Sequence, residues 1–124
     1  MSESNKIMKK LVFSKRQREI IVGLLLGDGH LETQTNGRTY RLKVEHSIKQ
    51  KAYIEWLYNE LQDLIPGKIY VKESKERTFV GFQTHTSPSF RFYGHQFYPE
   101  RKELIPKLIK KLLTPLALSI WFMG

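Results

Sequence analysis

The run Ile20-Ile21-Val22-Gly23-Leu24-Leu25-Leu26-Gly27-Asp28-Gly29 decides how this chain is read. It is an apolar, helix-like stretch with one glycine in its middle and one carboxylate at its end. A glycine inside a helix costs about 1 kcal/mol relative to alanine. Gly23 therefore points to a second helix whose backbone comes close at that position. Asp28, set between two glycines, closes the apolar face with a hard anionic oxygen donor, of the kind Mg²⁺ or Ca²⁺ prefers. The face of Ile21, Gly23, Leu24 and Leu26 is too apolar to sit in water and marks an interface or a core contact.

Working outward, Ser14 reads as an N-cap and opens a helix of about 14–29. Downstream, His30 to Thr35 alternates loosely and Asn36-Gly37 is a hairpin turn dipeptide. Thr39 to His46 alternates cleanly, with Tyr40, Leu42 and Val44 on one side and Arg41, Lys43 and Glu45 on the other. Lys49 to Leu64 has the spacing of an amphipathic helix, with Tyr53, Trp56, Leu57, Leu61 and Leu64 on its apolar side, and Pro66-Gly67 ends it. Lys68 to Lys72 is a third strand with Ile69 and Val71 inward. Ser74 to Glu76 is a turn, and Arg77 to His85 is a fourth strand. Ser87-Pro88 starts a helix that is expected to break near Gly94. A short helix through Leu113 and a last apolar helix after Thr114-Pro115 follow.

The order helix, hairpin, helix, hairpin, helices implies an α+β domain of αββαββα type, one domain over 1–124. Its antiparallel sheet of four strands is covered by helices on one face. The other face carries Arg41, Lys43, Lys68, Lys72 and Arg77. Alternate basic side chains on a curved sheet can meet phosphates and base edges together.

Composition supports a polyanionic partner. The 124 residues carry 21 Lys and Arg against 12 Asp and Glu, a formal charge of +9. The basic residues are spread along the chain instead of forming one amphipathic helix, which argues against a membrane surface. The apolar run is too short to span a bilayer, and nothing at the N-terminus reads as a secretory signal. Cysteine is absent, which excludes disulfides, thiolate metal sites and a cysteine nucleophile and fits a reducing interior. His30, His85 and His95 have no zinc-site spacing.

The run Ile20 to Gly29 resembles the signature helix of the LAGLIDADG homing endonucleases, with Gly23, Asp28 and Gly29 at the defining positions. Further segments are similar to the single-chain, two-motif branch of that family. They are Arg41 to Ser47 with Lys49-Gln50-Lys51, Thr86 to Phe90, Ile105-Pro106-Lys107, and Leu113 to Leu118. The resemblance covers about 14–124. Leu118 to Gly124 looks like the second signature helix, about 115–124, with Gly124 matching Gly27. The acidic residue and glycine that follow in the family are not in this sequence. It is thus expected to hold the first half of a two-motif enzyme, as a natural split half, an engineered fragment, or a chain whose other half is a separate polypeptide.

The resemblance implies a sequence-specific double-stranded DNA endonuclease that hydrolyses phosphodiester bonds with Mg²⁺, Mn²⁺ or Ca²⁺ also being able to occupy the site. The alternative is a non-cleaving DNA- or intron-RNA-binding module, a maturase or regulator, on the same fold. Carried over, Asp28 and the Gly27 carbonyl are metal ligands, His46 orients the water, Lys107 lies near the scissile phosphate, and Gln50 is a weaker pocket candidate. His30, Glu32, Gln34, Arg38, Arg41, Lys43, Lys68, Tyr70, Lys72 and Arg77 would face DNA. Ile21, Gly23, Leu24, Leu26, Ser119 and Ile120 would form the helix interface. The partners expected are double-stranded DNA and a complementary C-terminal half or a second copy. The expected location is an organelle (chloroplast or mitochondrion) or a prokaryotic cytoplasm.

Overall fold

In the computed structural model, residues 10–99 and 105–123 are described. Helix α1 spans Lys15–Leu26, strand β1 Gly29–Glu32, strand β2 Arg41–Ser47 and helix α2 Lys51–Glu60. Strand β3 is Tyr70–Ser74, strand β4 Arg77–Gln83 and helix α3 Arg91–Phe97. A single turn, α4, covers Ile109–Leu112, and α5 covers Pro115–Met123. Gly124, matched above to Gly27, lies outside the described residues.

The strands form one antiparallel four-stranded sheet in the order β1-β2-β4-β3. Leu42, Val44, Val80 and Phe82 point to the inner face, each with no exposed surface. Over them lie α1, which packs on β1, and α2, which packs on β2 and β4. Burying such a face stabilises a sheet by roughly 1.5–3 kcal/mol per large apolar side chain. The fold is the expected α+β arrangement.

Local chemistry sets the element ends. The Ser14 hydroxyl accepts from the Gln17 N–H at 3.0 Å, while the Gln17 side chain accepts from the Ser14 N–H at 3.0 Å. This reciprocal box starts α1 one residue after Ser14. Asn36 and Gly37 both take positive φ, +61° and +91°, as the dipeptide requires in a hairpin turn. The loop around them is wider than the sequence implied. Thr33 and Thr35 hydroxyls accept from the backbone N–H groups of Gly37 and Thr39, which ends β1 at Glu32.

Three expectations are corrected. First, α3 does not break near Gly94. Helix continuity holds because the Tyr40 ring packs against it, and a Cβ at Gly94 would lie 2.3 Å from that ring. Second, Val71 is not inward-packed. It pairs with buried Val80 but is 58% exposed, because β3 is the edge strand and its outer end is left uncovered. Third, Lys68 precedes β3 instead of belonging to it. The expected helix Lys49 to Leu64 is divided into a 3₁₀ turn at Ile48–Gln50, α2, and a second 3₁₀ turn at Gln62–Leu64.

Candidate metal-binding end and nucleic-acid interface

The second half of helix α1 is buried from Ile20 to Leu25, with Ile20 and Ile21 fully enclosed. Its second neighbour is α5. A Cβ on Gly23 would lie 2.5 Å from the Ala117 carbonyl oxygen and 2.6 Å from Ile120 Cβ. The glycine therefore permits a backbone-to-backbone crossing, as its place in the apolar run implied. Of the expected interface residues, Ile21, Leu24 and Ile120 are buried and Leu26 is half-buried. Ser119 is exposed and does not belong to the seam. One helical turn before Ile120 comes Ala117, which is buried and takes that place, while Ser119 sits off that line.

Past Leu26 the chain turns sharply into β1. The Gly27 N–H closes the helix on the Leu24 carbonyl at 3.0 Å. At Gly29 a Cβ would lie 2.9 Å from Leu24 Cβ, so the strand can start only this close to the helix without a side chain. Asp28 stands on the turn between them. His46, at the end of β2 on the inner face, brings Nε2 to 2.8 Å from Asp28 Oδ2. Their side chains are 12% and 28% exposed. Tyr53 of α2 sets its ring edge-on to His46, centroids 5.8 Å apart. Its hydroxyl donates to the Ile120 carbonyl of α5 at 3.3 Å. Burial, and then the neighbouring Asp28 carboxylate, push the Tyr53 hydroxyl up to about 12, so it stays a proton donor. Sequence periodicity assigned Tyr53 to a helix core face; its link to His46 depends on α2 crossing the end of β2.

Among the described residues no group of three or more His, Asp or Glu forms a cation site. Asp28 Oδ1 and the exposed Gly27 are hard oxygen donors on one side of such a site, since His46 occupies only Oδ2. That donor set suits a hard divalent ion whose remaining ligands come from water, phosphate and another acid. Lys107 makes no hydrogen bond or ion pair with Asp28 or His46. It is exposed, and the following turn places Lys111 and Leu112 in a cavity with Lys15, Arg18 and Glu19. Those residues are in the first half of α1, on the order of 13 Å of helix from Asp28. Gln50 is exposed and caps α2 without a side-chain hydrogen bond.

The outer face of the sheet is laid out by register. His30 lies opposite Lys43, which lies opposite Gln83; Glu32 lies opposite Arg41; Glu45 lies opposite Gly81, which lies opposite Tyr70; and Lys72 lies opposite Phe79. Arg77 is exposed at the end of this face, and Gln34 and Arg38 are exposed on the loop beside it. Glu32, Gln34, Arg41 and Gln83 share an open hollow of about 580 Å³. Phe79 and Gln83 were passed over in the sequence, although the alternation that puts Arg77 on this face puts them there too.

The residues 18–124 match the model of the LAGLIDADG DNA endonuclease family. The chain belongs to this family. It is 30% identical over 123 residues to the DNA endonuclease I-ChuI of Chlamydomonas applanata, a match covering 88% of this chain and 56% of that protein. It is 31% identical over 119 residues to the cytochrome b mRNA maturase bI2 of Saccharomyces cerevisiae, covering 84% of this chain and 28% of the maturase. The homing endonuclease I-WcaI, solved bound to its DNA recognition sequence, shares the fold with a TM-score of 0.79 at 24% identity, over all of this chain and 57% of that one. The chain thus spans a little over half of both endonucleases. No helix among the described residues is long and apolar enough to cross a membrane.

Proposed function

We propose that this LAGLIDADG chain is half of a divalent-metal-dependent, sequence-specific DNA endonuclease. It binds duplex DNA across the outer sheet face and cuts at the Asp28 end of α1. The observation that carries this reading is the Asp28–His46 pair, 2.8 Å apart, fixed at the end of α1 where α5 crosses it. The likeness to I-ChuI over most of the chain supports it.

Each residue has a defined task. Asp28 offers Oδ1 and Gly27 its carbonyl as hard ligands; a divalent ion held there supplies Lewis acidity to the phosphodiester and its attacking water. His46 holds the other carboxylate oxygen and so sets the direction in which Asp28 points. Tyr53 backs the imidazole and ties it to α5. Lys43 and Arg77 meet phosphates, and the paired residues of the outer face lie toward base edges. A two-motif site takes its second carboxylate from the other half of the two-motif fold or from a second copy packed on the same seam. The likeness to an mRNA maturase favours, as a second reading, the same fold binding nucleic acid without cutting.

Plasmid cleavage with Mg²⁺ tests the choice, using the chain paired with its complementing half. Asp28→Asn keeps the shape and removes the charge. The endonuclease reading expects cleavage to fall by about a hundredfold or more while duplex binding persists. Equal rates in both forms would remove Asp28 from the chemistry, and binding without cleavage in either form would favour the maturase-like reading.

A further inference from the structure

On the outer sheet face, both carboxylates are held at both of their oxygens. Glu45 Oε1 takes Lys72 Nζ at 3.0 Å, and Oε2 accepts the Tyr70 hydroxyl at 2.9 Å. Glu32 Oε1 takes Arg41 Nε at 2.8 Å, and Oε2 lies 3.3 Å from His30 Nε2. Burial raises both acids. Hydrogen bonds from these partners and the nearby charges, Lys43 included, outweigh it and hold both below the usual carboxylate range. They are ionised at neutral pH.

The Glu45 unit reaches over a whole strand. Glu45 is on β2 and Tyr70 on β3, with β4 between them, and Gly81 is the β4 residue that faces both. A Cβ there would lie 2.9 Å from the Tyr70 hydroxyl and 2.4 Å from the Val44 carbonyl oxygen. The missing side chain opens the space through which Tyr70 meets Glu45. Solvated ion pairs add little stability, so stability is a weak reason for this arrangement. Its electrostatic effect on a polyanion is larger. A cation cancelled within the face releases fewer counterions from DNA, and a carboxylate beside phosphate repels it.

We propose that Glu32 and Glu45 are specificity-determining residues: they fix Arg41, Lys72 and Tyr70 over the sheet and offset the charge of the two cations, so the face binds phosphate weakly in general and depends on bases that fit the fixed set. This rests on the sheet face being the DNA surface. Lys43 and Arg77, with no ion pair among the described residues, supply the sequence-independent contacts. Arg41 and Lys72, held in place, keep N–H donors free for base edges, as arginine does to guanine, while the Tyr70 hydroxyl, its proton given to Glu45, offers an acceptor.

The test is fluorescence anisotropy of the full chain on a random-sequence duplex over a salt series. Glu45→Gln is expected to tighten binding about three- to tenfold at low salt and steepen the salt slope by ~1, as Lys72 is released. Glu55→Gln, exposed on α2 in the helical layer, changes neither. In a Lys72→Gln background the Glu45→Gln exchange no longer steepens the salt slope, since no cation is released. Glu32→Gln, which leaves the β3 edge untouched, is read the same way against Arg41→Gln. Three results overturn the proposal: equal gains in Glu45→Gln and Glu55→Gln, no gain at either outer-face glutamate, or a steepened salt slope that survives without Lys72. If the unaltered chain shows no salt-sensitive duplex binding, the DNA-surface reading itself fails, and the proposal falls with it.

Discussion

The seam between α1 and α5 and the outer face of the sheet are built on opposite rules. At the seam, one missing side chain lets two backbones meet, and everything around Gly23 is apolar and closed. On the outer face, charges stand in water, and their meaning lies in which carboxylate pairs with which cation across strands. The seam is a matter of volume and tolerates no addition. The face is a matter of charge balance, where an exchange adds no volume to the core and alters which charges are paired.

The sharpest way to break this contrast is to add volume at the seam and at an open glycine elsewhere. Gly23→Leu must displace the Ala117 carbonyl, which is backbone and has no rotamer to yield. Overpacking of this kind costs about 3 kcal/mol or more. The variant should lose its cooperative melt and scatter light. At Gly67 a Cβ would meet nothing within 4 Å, so Gly67→Leu should melt like the parent. A soluble, cooperatively folding Gly23→Leu chain would mean that α5 does not close on that glycine.

The next test stays on the face. Lys43 lies opposite Gln83 and His30 and forms no ion pair among the described residues, whereas Lys72 is 3.0 Å from Glu45. Lys43→Gln should weaken random-duplex binding about tenfold at low salt and flatten the salt slope by ~1. Lys72→Gln should also weaken binding, because it uncovers Glu45, but should flatten the salt slope less, since a paired cation displaces fewer counterions. Equal flattening in the two variants would show that ion pairing within the face does not matter to DNA.

The smallest effect is on stability. Glu45 is held below its ordinary value near 4.5 by Lys72 and Tyr70 against the opposing effect of burial. A depressed carboxyl contributes stability that is fully present above the unfolded-state value and is lost as pH falls through the lower folded value. Solvent screening keeps the contribution to roughly 0–1 kcal/mol. As pH falls from neutrality through that ordinary value and below it, the melting temperature of the parent should therefore fall slightly further than that of Glu45→Gln. Parallel pH curves would remove the pair from the stability account.

The same contrast explains what was legible in the sequence. Elements defined by near neighbours were readable: the Ser14–Gln17 cap, the Asn36-Gly37 turn, the alternation of β2, and the close crossing at Gly23. Each depends on residues within a few positions or on a single missing side chain. Features made by distant contacts were not. Val71 alternates correctly but lies where nothing covers the edge strand. Gly94 looks like a helix breaker until the Tyr40 ring is placed on it. Ser119 shares an apolar helix with Ala117 but points away from the seam. Cations on the face could be counted from sequence, but their cancellation by Glu32 and Glu45 needed the register. Near Asp28, His46 was anticipated from the family resemblance at its strand end, while the contact of Tyr53 with it depends on tertiary placement.

The central claim is that DNA lies across the outer sheet face and not against the helical layer. Backbone amide NMR of the labelled chain, titrated with a random-sequence duplex at low salt, tests it directly. The account predicts that shift changes concentrate on β1, β2 and β4 around Lys43, Arg77 and Gln83 and extend to Asp28, while α3 and the cavity beside Phe92 and Lys111 stay unchanged. Shifts concentrated at Phe92 and Lys111, with Lys43 and Gln83 unmoved, would contradict it.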